Sequence, residues 1–325
     1  MLKPDPIKSA AMTADVDGRL RAALTYLVSD VIGQPDAATD LSHAPAAHAL
    51  QAQMREAAVN DDIDGIIALY REHGAVLKRP LPDERCALVT WGADTFTDSE
   101  RTLLKTAYQD DIGLTGSLVA PDPSLEAQLR TSYATLRTVL PDTVPLWWAE
   151  IEALVSTVIL ASSGTEGKSF GGATTFAAWG AILINPVGQS DPLRLALALV
   201  HESSHQKLFY AHLDDEVVLN DPEEKFSSPL RREPRPMDGI YHAAFVLARM
   251  VQFLHDLTGA PGALDALGTG IRDEAEHLLA QNIQAFDAGH AEIAAHARLT
   301  ELGQQIIDEA AACVAACKIH QGQSA

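Results

Sequence analysis

Residues 190–212, SDPLRLALALVHESSHQKLFYAH, decide how this chain is read. Ser190-Asp191-Pro192 is a helix start, with a capping side chain followed by proline in the first turn, where a missing N–H costs nothing. From Leu193 to Val200 the run is apolar apart from Arg194, and then comes His201-Glu202-Ser203-Ser204-His205. Positions i and i+4 stand one above the other on a helix, so His201 and His205 aim two imidazoles at one point, as a helix does to hold a divalent metal. An accidental HExxH turns up in roughly a few of every hundred chains. This one ends a helix that reads as buried, where histidine and glutamate are costly unless paired or metal-bound. The spacing predicts a metal helix.

Around that helix the composition sets bounds. The chain has 325 residues, 47% of them hydrophobic, enough for one large core or two domains. A net charge of -20 argues against nucleic acid and against an anionic membrane surface as partners. No stretch of 18 apolar residues occurs, and Met1-Leu2-Lys3-Pro4-Asp5-Pro6 lacks the apolar core of a signal peptide. A cytoplasmic location is the expectation. The three cysteines agree: Cys86 stands alone, and Cys313 and Cys317, four apart in an alanine-rich helix, read as small buried residues.

The periodicity predicts a predominantly helical α+β fold, in which a small sheet precedes the HExxH helix and long helices close the chain. Helices are expected over 15–31, 45–76, 98–111 and 123–139, with a strand-like run at Cys86–Trp91. His43, His48 and His73 have no partner at ligand spacing and read as surface residues. Composition shifts near Pro141–Pro145, which suggests a helical N-terminal region, 1–140, suited to docking a substrate, and a metal-binding catalytic domain, 141–325. Ala153–Ser162 is ambiguous between helix end and strand, and Thr174–Asn185 reads as a strand. The glycine- and serine-rich loop 163–172 between them lacks phosphate-loop spacing. Three further helices are expected at 239–258, 262–285 and 288–320.

Two histidines do not complete a metal site. The glycine and third histidine of HExxHxxGxxH are absent, which excludes the metzincin pattern. Downstream candidates are Asp214, Asp215, Glu216, Glu223, Glu224, Asp238 and His242; the carboxylates lie mainly in a polar loop. His242 opens an apolar helix just after a Pro-Met-Asp-Gly turn, a good place from which to present a ligand. Arg231 and Arg235 bracket a proline-stiffened turn ahead of it. Amide hydrolysis has no use for two guanidinium groups there, whereas a dicarboxylate is gripped by arginine through two parallel hydrogen bonds.

With His201-Glu202-Ser203-Ser204-His205-Gln206-Lys207-Leu208, Ser228-Pro229-Leu230-Arg231, Arg235-Pro236 and Gly239-Ile240-Tyr241-His242 in this order, the chain resembles the HExxH-motif family of peptide-modifying enzymes. That family accompanies ribosomally made peptide natural products and is described as iron(II)/2-oxoglutarate-dependent peptide β-hydroxylases. Ser169-Phe170-Gly171 adds to the likeness, which covers about residues 150–250. The resemblance implies iron(II) on His201 and His205, with His242 as third ligand. A carboxylate there instead would give the 2-His-1-carboxylate set of many non-haem iron oxygenases. It also implies 2-oxoglutarate as co-substrate, its far carboxylate clamped by Arg235 or Arg231, and a precursor peptide hydroxylated on a β-carbon. Glu202 then orients a ligand or a bound water instead of serving as general base. Two other readings stand beside this one. A zinc metallopeptidase would use Zn(II), Glu202 as general base and a carboxylate as third ligand. A non-catalytic peptide-binding protein would keep a closed structural metal site. The long C-terminal helices leave room for a homodimer.

Overall fold

The computed structural model describes residues 1–109, 117–166, 169–228 and 233–323. In chain order come helices α1 (Pro6–Tyr26), α2 (Pro45–Val59) and α3 (Ile63–His73), strand β1 (Ala87–Thr90), helix α4 (Asp98–Ala107), strand β2 (Leu118–Val119), and helices α5 (Pro123–Thr143) and α6 (Pro145–Leu154). Strands β3 (Thr157–Leu160), β4 (Ser162–Ser163), β5 (Gly172–Ala173) and β6 (Ala181–Ile184) follow. Helices α7 (Pro192–Ala211), α8 (Met237–Gly259), α9 (Ala263–Leu267), α10 (Ile271–His296) and α11 (Glu301–Gln323) complete the chain. The fold is α+β and predominantly helical, as the periodicity predicts. Among the described residues, no helix is long and apolar enough to cross a membrane.

The chain divides into two compact units, each discontinuous in sequence: Ile7–Arg130 with Glu152–Ser190, and Met1–Pro6 with Thr131–Ile151 and Asp191–Ala325. Position 140, where composition suggests a boundary, lies inside a unit instead. Leu140 is fully buried, and α5 runs through Pro141 to Thr143. Pro145 then opens α6, so Pro141 lies within one helix and Pro145 begins the next, without a linker between domains.

The first unit holds both sheets. Strands β1, β3 and β6 are parallel in the order β1-β3-β6-β5, with β5 antiparallel to β6. Every residue of β3 (TVIL) and β6 (AILI) is buried, the continuous apolar pattern of a strand covered on both faces. The ambiguity of Ala153–Ser162 resolves into both answers, since α6 ends at Leu154 and β3 starts at Thr157. The strand expected over Thr174–Asn185 is confined to β6. A 3₁₀ turn at Phe176–Ala178, capped by the Thr175 side chain accepting from Ala177 N, and Gly180 at φ +83 redirect the chain before pairing begins.

The single helix expected over 45–76 is also two. Asp61 adopts φ 55, and the Asp62 side chain caps α3 by accepting from Gly65 N at 2.8 Å. His48 and His73 prove to be buried rather than surface residues, with His48 Nε2 3.3 Å from Asp17 Oδ1. They fall on the inward faces of α2 and α3, which ligand spacing does not report. Cys313 and Cys317 are free and buried, as composition suggests.

In the second unit α8 is the central helix, packed against α7, α10 and α11. Ile240, Phe245, Val251, Phe253 and Leu254 are fully or almost fully buried. Each such side chain contributes roughly 1.5–3 kcal/mol of transfer free energy on burial. Of the expected C-terminal helices only the first keeps its place: α10 starts at Ile271 and α11 at Glu301, about ten residues later than expected, because Gly268 (φ 143) and Gly270 (φ 76) cut off the short α9 before α10. The 214–219 segment after α7 is tied to the start of α11: Thr300 N donates to Val217 O at 3.1 Å, and Thr300 Oγ1 to Asp215 Oδ1 at 2.6 Å. These bonds hold Val217 at φ 61, a conformation that a β-branched residue resists.

Candidate metal centre

Helix α7 begins as its sequence foretells, with the Asp191 side chain accepting from Arg194 N at 2.9 Å and Pro192 at the first position. Its His201 and His205 come together, Nε2 to Nε2, at 3.2 Å. Two ligands on one divalent cation lie roughly 3.0–3.4 Å apart at metal–nitrogen distances near 2.1 Å, so the pair is set for chelation.

The back of this helix turn is locked. Ser203 and Ser204, the middle residues of the motif, are buried, and Ser204 Oγ donates to Val200 O. Arg249 of α8 donates from Nε to Ser204 Oγ at 2.8 Å, and its Nη1 reaches Met1 O and Leu2 O at 2.9 and 3.0 Å. Its other terminal nitrogen pairs with Glu150, which also takes Lys207 Nζ and accepts from Asp5 N at 2.7 Å. Burial alone would raise the Glu150 carboxyl, but Arg249 and Lys207 outweigh it and hold it ionised. Burial and the neighbouring Arg249 bring Lys207 down to about 8, against the pull of Glu150.

On the other face of α7, His201 and His205 are partly exposed. The imidazole of His242, on α8, stacks on His205 with ring centroids 5.8 Å apart, and Phe209 lies against both rings. Burial lowers His201 and His242 to about 4 and His205 well below its ordinary value. His201 keeps 41% of its side-chain exposure, so solvent moderates its shift the most. All three rings are neutral at pH 7 and offer lone pairs, the form a metal needs. The charge of Arg235 is a further cause of lowering at both His205 and His242. Arg235 is placed by backbone pairing with Phe226 and by Gly239, where a Cβ would lie 3.3 Å from Arg235 Nε. Glu202 is buried, with Oε1 4.0 Å from His201 Nε2. Arg231 lies outside the described residues, as do Pro229, Leu230 and Arg232.

Two members of the cluster escape a reading of HExxH alone. His212, at the end of α7, has Nε2 3.3 Å from His242 Nε2, and Asp238 Oδ1 is 3.7 Å from His242 and 4.0 Å from His212. The ligand atoms of His212, Asp238 and His242 all lie within 4.8 Å of one another, the one such group of three among the described residues. His242 thus meets His205 through its ring face and His212 through its Nε2. The signal for His212 was its spacing. It stands 11 residues after His201, about three helical turns, and therefore on the same stripe. Asp238 is one of the downstream carboxylate candidates, and the Pro-Met-Asp-Gly turn gives no sign that it pairs with His242. Helix α8 starts at Met237, so Asp238 is already helical and sits one turn before His242.

No protein-family model and no curated protein matches the chain.

Proposed function

We propose that this protein is an iron(II)/2-oxoglutarate-dependent oxygenase that hydroxylates the β-carbon of a residue in a ribosomally made peptide. In this reading His201 and His205 hold the iron, and His242 reaches from the facing helix as third ligand. The observation that carries the reading is Arg235, whose guanidinium packs against Gly239, one helical turn before His242. A dicarboxylate that chelates a metal at one end can meet an arginine at the other through two parallel hydrogen bonds. When bound, the metal and 2-oxoglutarate supply oxygen activation; 2-oxoglutarate, O2 and a peptide C–H become succinate, CO2 and a peptide C–OH. The chain's own residues position the pieces. His201, His205 and His242 present neutral imidazoles, Arg235 orients the co-substrate, Phe209 covers the rings, and Glu202 orients a ligand or water from its buried position. The substrate is a precursor peptide, and the place of action is the cytoplasm.

Anaerobic protein given Fe(II) and then 2-oxoglutarate is expected to develop a weak visible charge-transfer band that is lost in His205→Ala. No band, with zinc held at one per chain and casein cleaved in a Glu202-dependent manner, would replace this reading with a zinc metallopeptidase.

A further inference from the structure

We infer that His212, Asp238 and His242 form a second divalent-cation site, distinct from the HExxH pair. Three observations carry it. The two imidazole Nε2 atoms face each other at 3.3 Å, the separation of adjacent ligands on one cation. The carboxylate completes a two-histidine, one-carboxylate set, which suits zinc, iron or manganese. The donors are also held by independent means. His212 caps α7, its backbone N–H bonding back to Leu208 O and Phe209 O at 3.3 and 3.1 Å. Asp238 and His242 share one face of α8, four residues apart. Tyr241, next to His242, fastens α8 to α11 by donating to Gly303 O at 2.7 Å.

The site is complete without either HExxH histidine, because the Nε2 of His242 faces His212 and Asp238. It is also more open: the Asp238 side chain is 57% exposed, leaving room for water to fill the remaining coordination positions. His242 has one Nε2 to give, so the two positions compete for it in the intact chain. A cation at His212–Asp238–His242 leaves His201 and His205 as a two-ligand pair, and a cation drawn to that pair must recruit His242 away. The chain therefore binds one cation tightly and a second more weakly. This inference does not rest on the oxygenase reading, since it concerns cation binding alone.

The test removes the first position. The double variant His201→Ala/His205→Ala, its fold checked by circular dichroism, is titrated with Zn(II) by calorimetry and with Co(II) by visible absorption. One cation per chain is expected. Adding His212→Ala or Asp238→Asn to that background is expected to weaken binding at least about tenfold. A double variant that binds no cation would overturn the inference, and so would undiminished binding after His212→Ala. Should the double variant not fold, the intact protein decides: two sequential Zn(II) events are expected, one of them lost in His212→Ala, whereas a single event unchanged by that substitution overturns the site. Loss of 2-oxoglutarate turnover leaves each of these outcomes untouched.

Discussion

Arg249 Nε donates to Ser204 Oγ at 2.8 Å, tying the middle of the HExxH turn to the neighbouring helix from behind. The guanidinium also lies 4.8 Å over the Trp147 ring and is paired with Glu150, so one buried cation sets the rotation of α7 about its axis. That rotation decides where His201 and His205 point. Glu150→Gln leaves Arg249 and Lys207 buried without their anion, which is expected to cost about 3–5 kcal/mol. A thermal melt of the metal-free protein checks this. A midpoint within a degree of wild type would show that the network contributes nothing to stability.

Gly303 offers a test in which two effects have opposite signs. Alanine is the better helix former by about 1 kcal/mol. A Cβ at position 303, however, would lie 2.3 Å from Val217 O, a backbone atom already fixed by its bond from Thr300 N. The clash is expected to win, so Gly303→Ala should destabilise the protein by about 1–3 kcal/mol. Denaturant titration reads the sign directly.

The placement of Arg235 makes a graded prediction. Arg235→Ala is expected to weaken 2-oxoglutarate binding to the anaerobic Fe(II) protein by about 10–100-fold, the worth of a charge-assisted contact. Arg235→Lys keeps the charge but loses the two-nitrogen fork, and should fall between. Gly239→Ala crowds the guanidinium at 3.3 Å and is expected to weaken binding by a smaller factor, about two- to threefold. Calorimetry with 2-oxoglutarate gives the order. Equal affinity in all three variants would remove Arg235 from the site.

Acid should loosen the other unit through His48. Burial lowers its pKa from the ordinary 6.5, against the pull of Asp17. Between the lowered folded value and 6.5 the unfolded chain binds one more proton than the folded one, so stability rises with pH across that window. The contribution is complete above pH 6.5 and is lost as pH falls below it. His48→Gln, which cannot take up the proton, is expected to show a flatter fall in melting temperature below pH 6.5 than wild type.

Much of this was legible in the sequence. The start of α7, the i,i+4 spacing of His201 and His205 and the apolar period of α8 depend on neighbours within a turn or two, where local geometry dominates. His212 was legible too, but only by extending the stripe to a third turn. Errors fell where one residue reverses local propensity: Asp61 in its left-handed conformation splits a helix, and Gly180 shortens a strand. The composition shift near residue 140 is no unit boundary, because Pro141 lies inside α5 and Pro145 opens α6.

The sequence by itself determined that this chain is predominantly helical and presents two imidazoles from one helix, since helix period and burial pattern are local properties of the order of residues. Only the tertiary structure decided which groups complete the cluster. His242 and Asp238 come from a helix separated from α7 by 25 residues, and their approach to His205 and His212 depends on how α7 packs against α8. That packing rests on Ser204, Arg249 and Glu150, whose positions lie up to 99 residues apart. A contact across such a separation leaves no periodic trace, because it is selected by the burial of a shared charge rather than by the repeat of a helix.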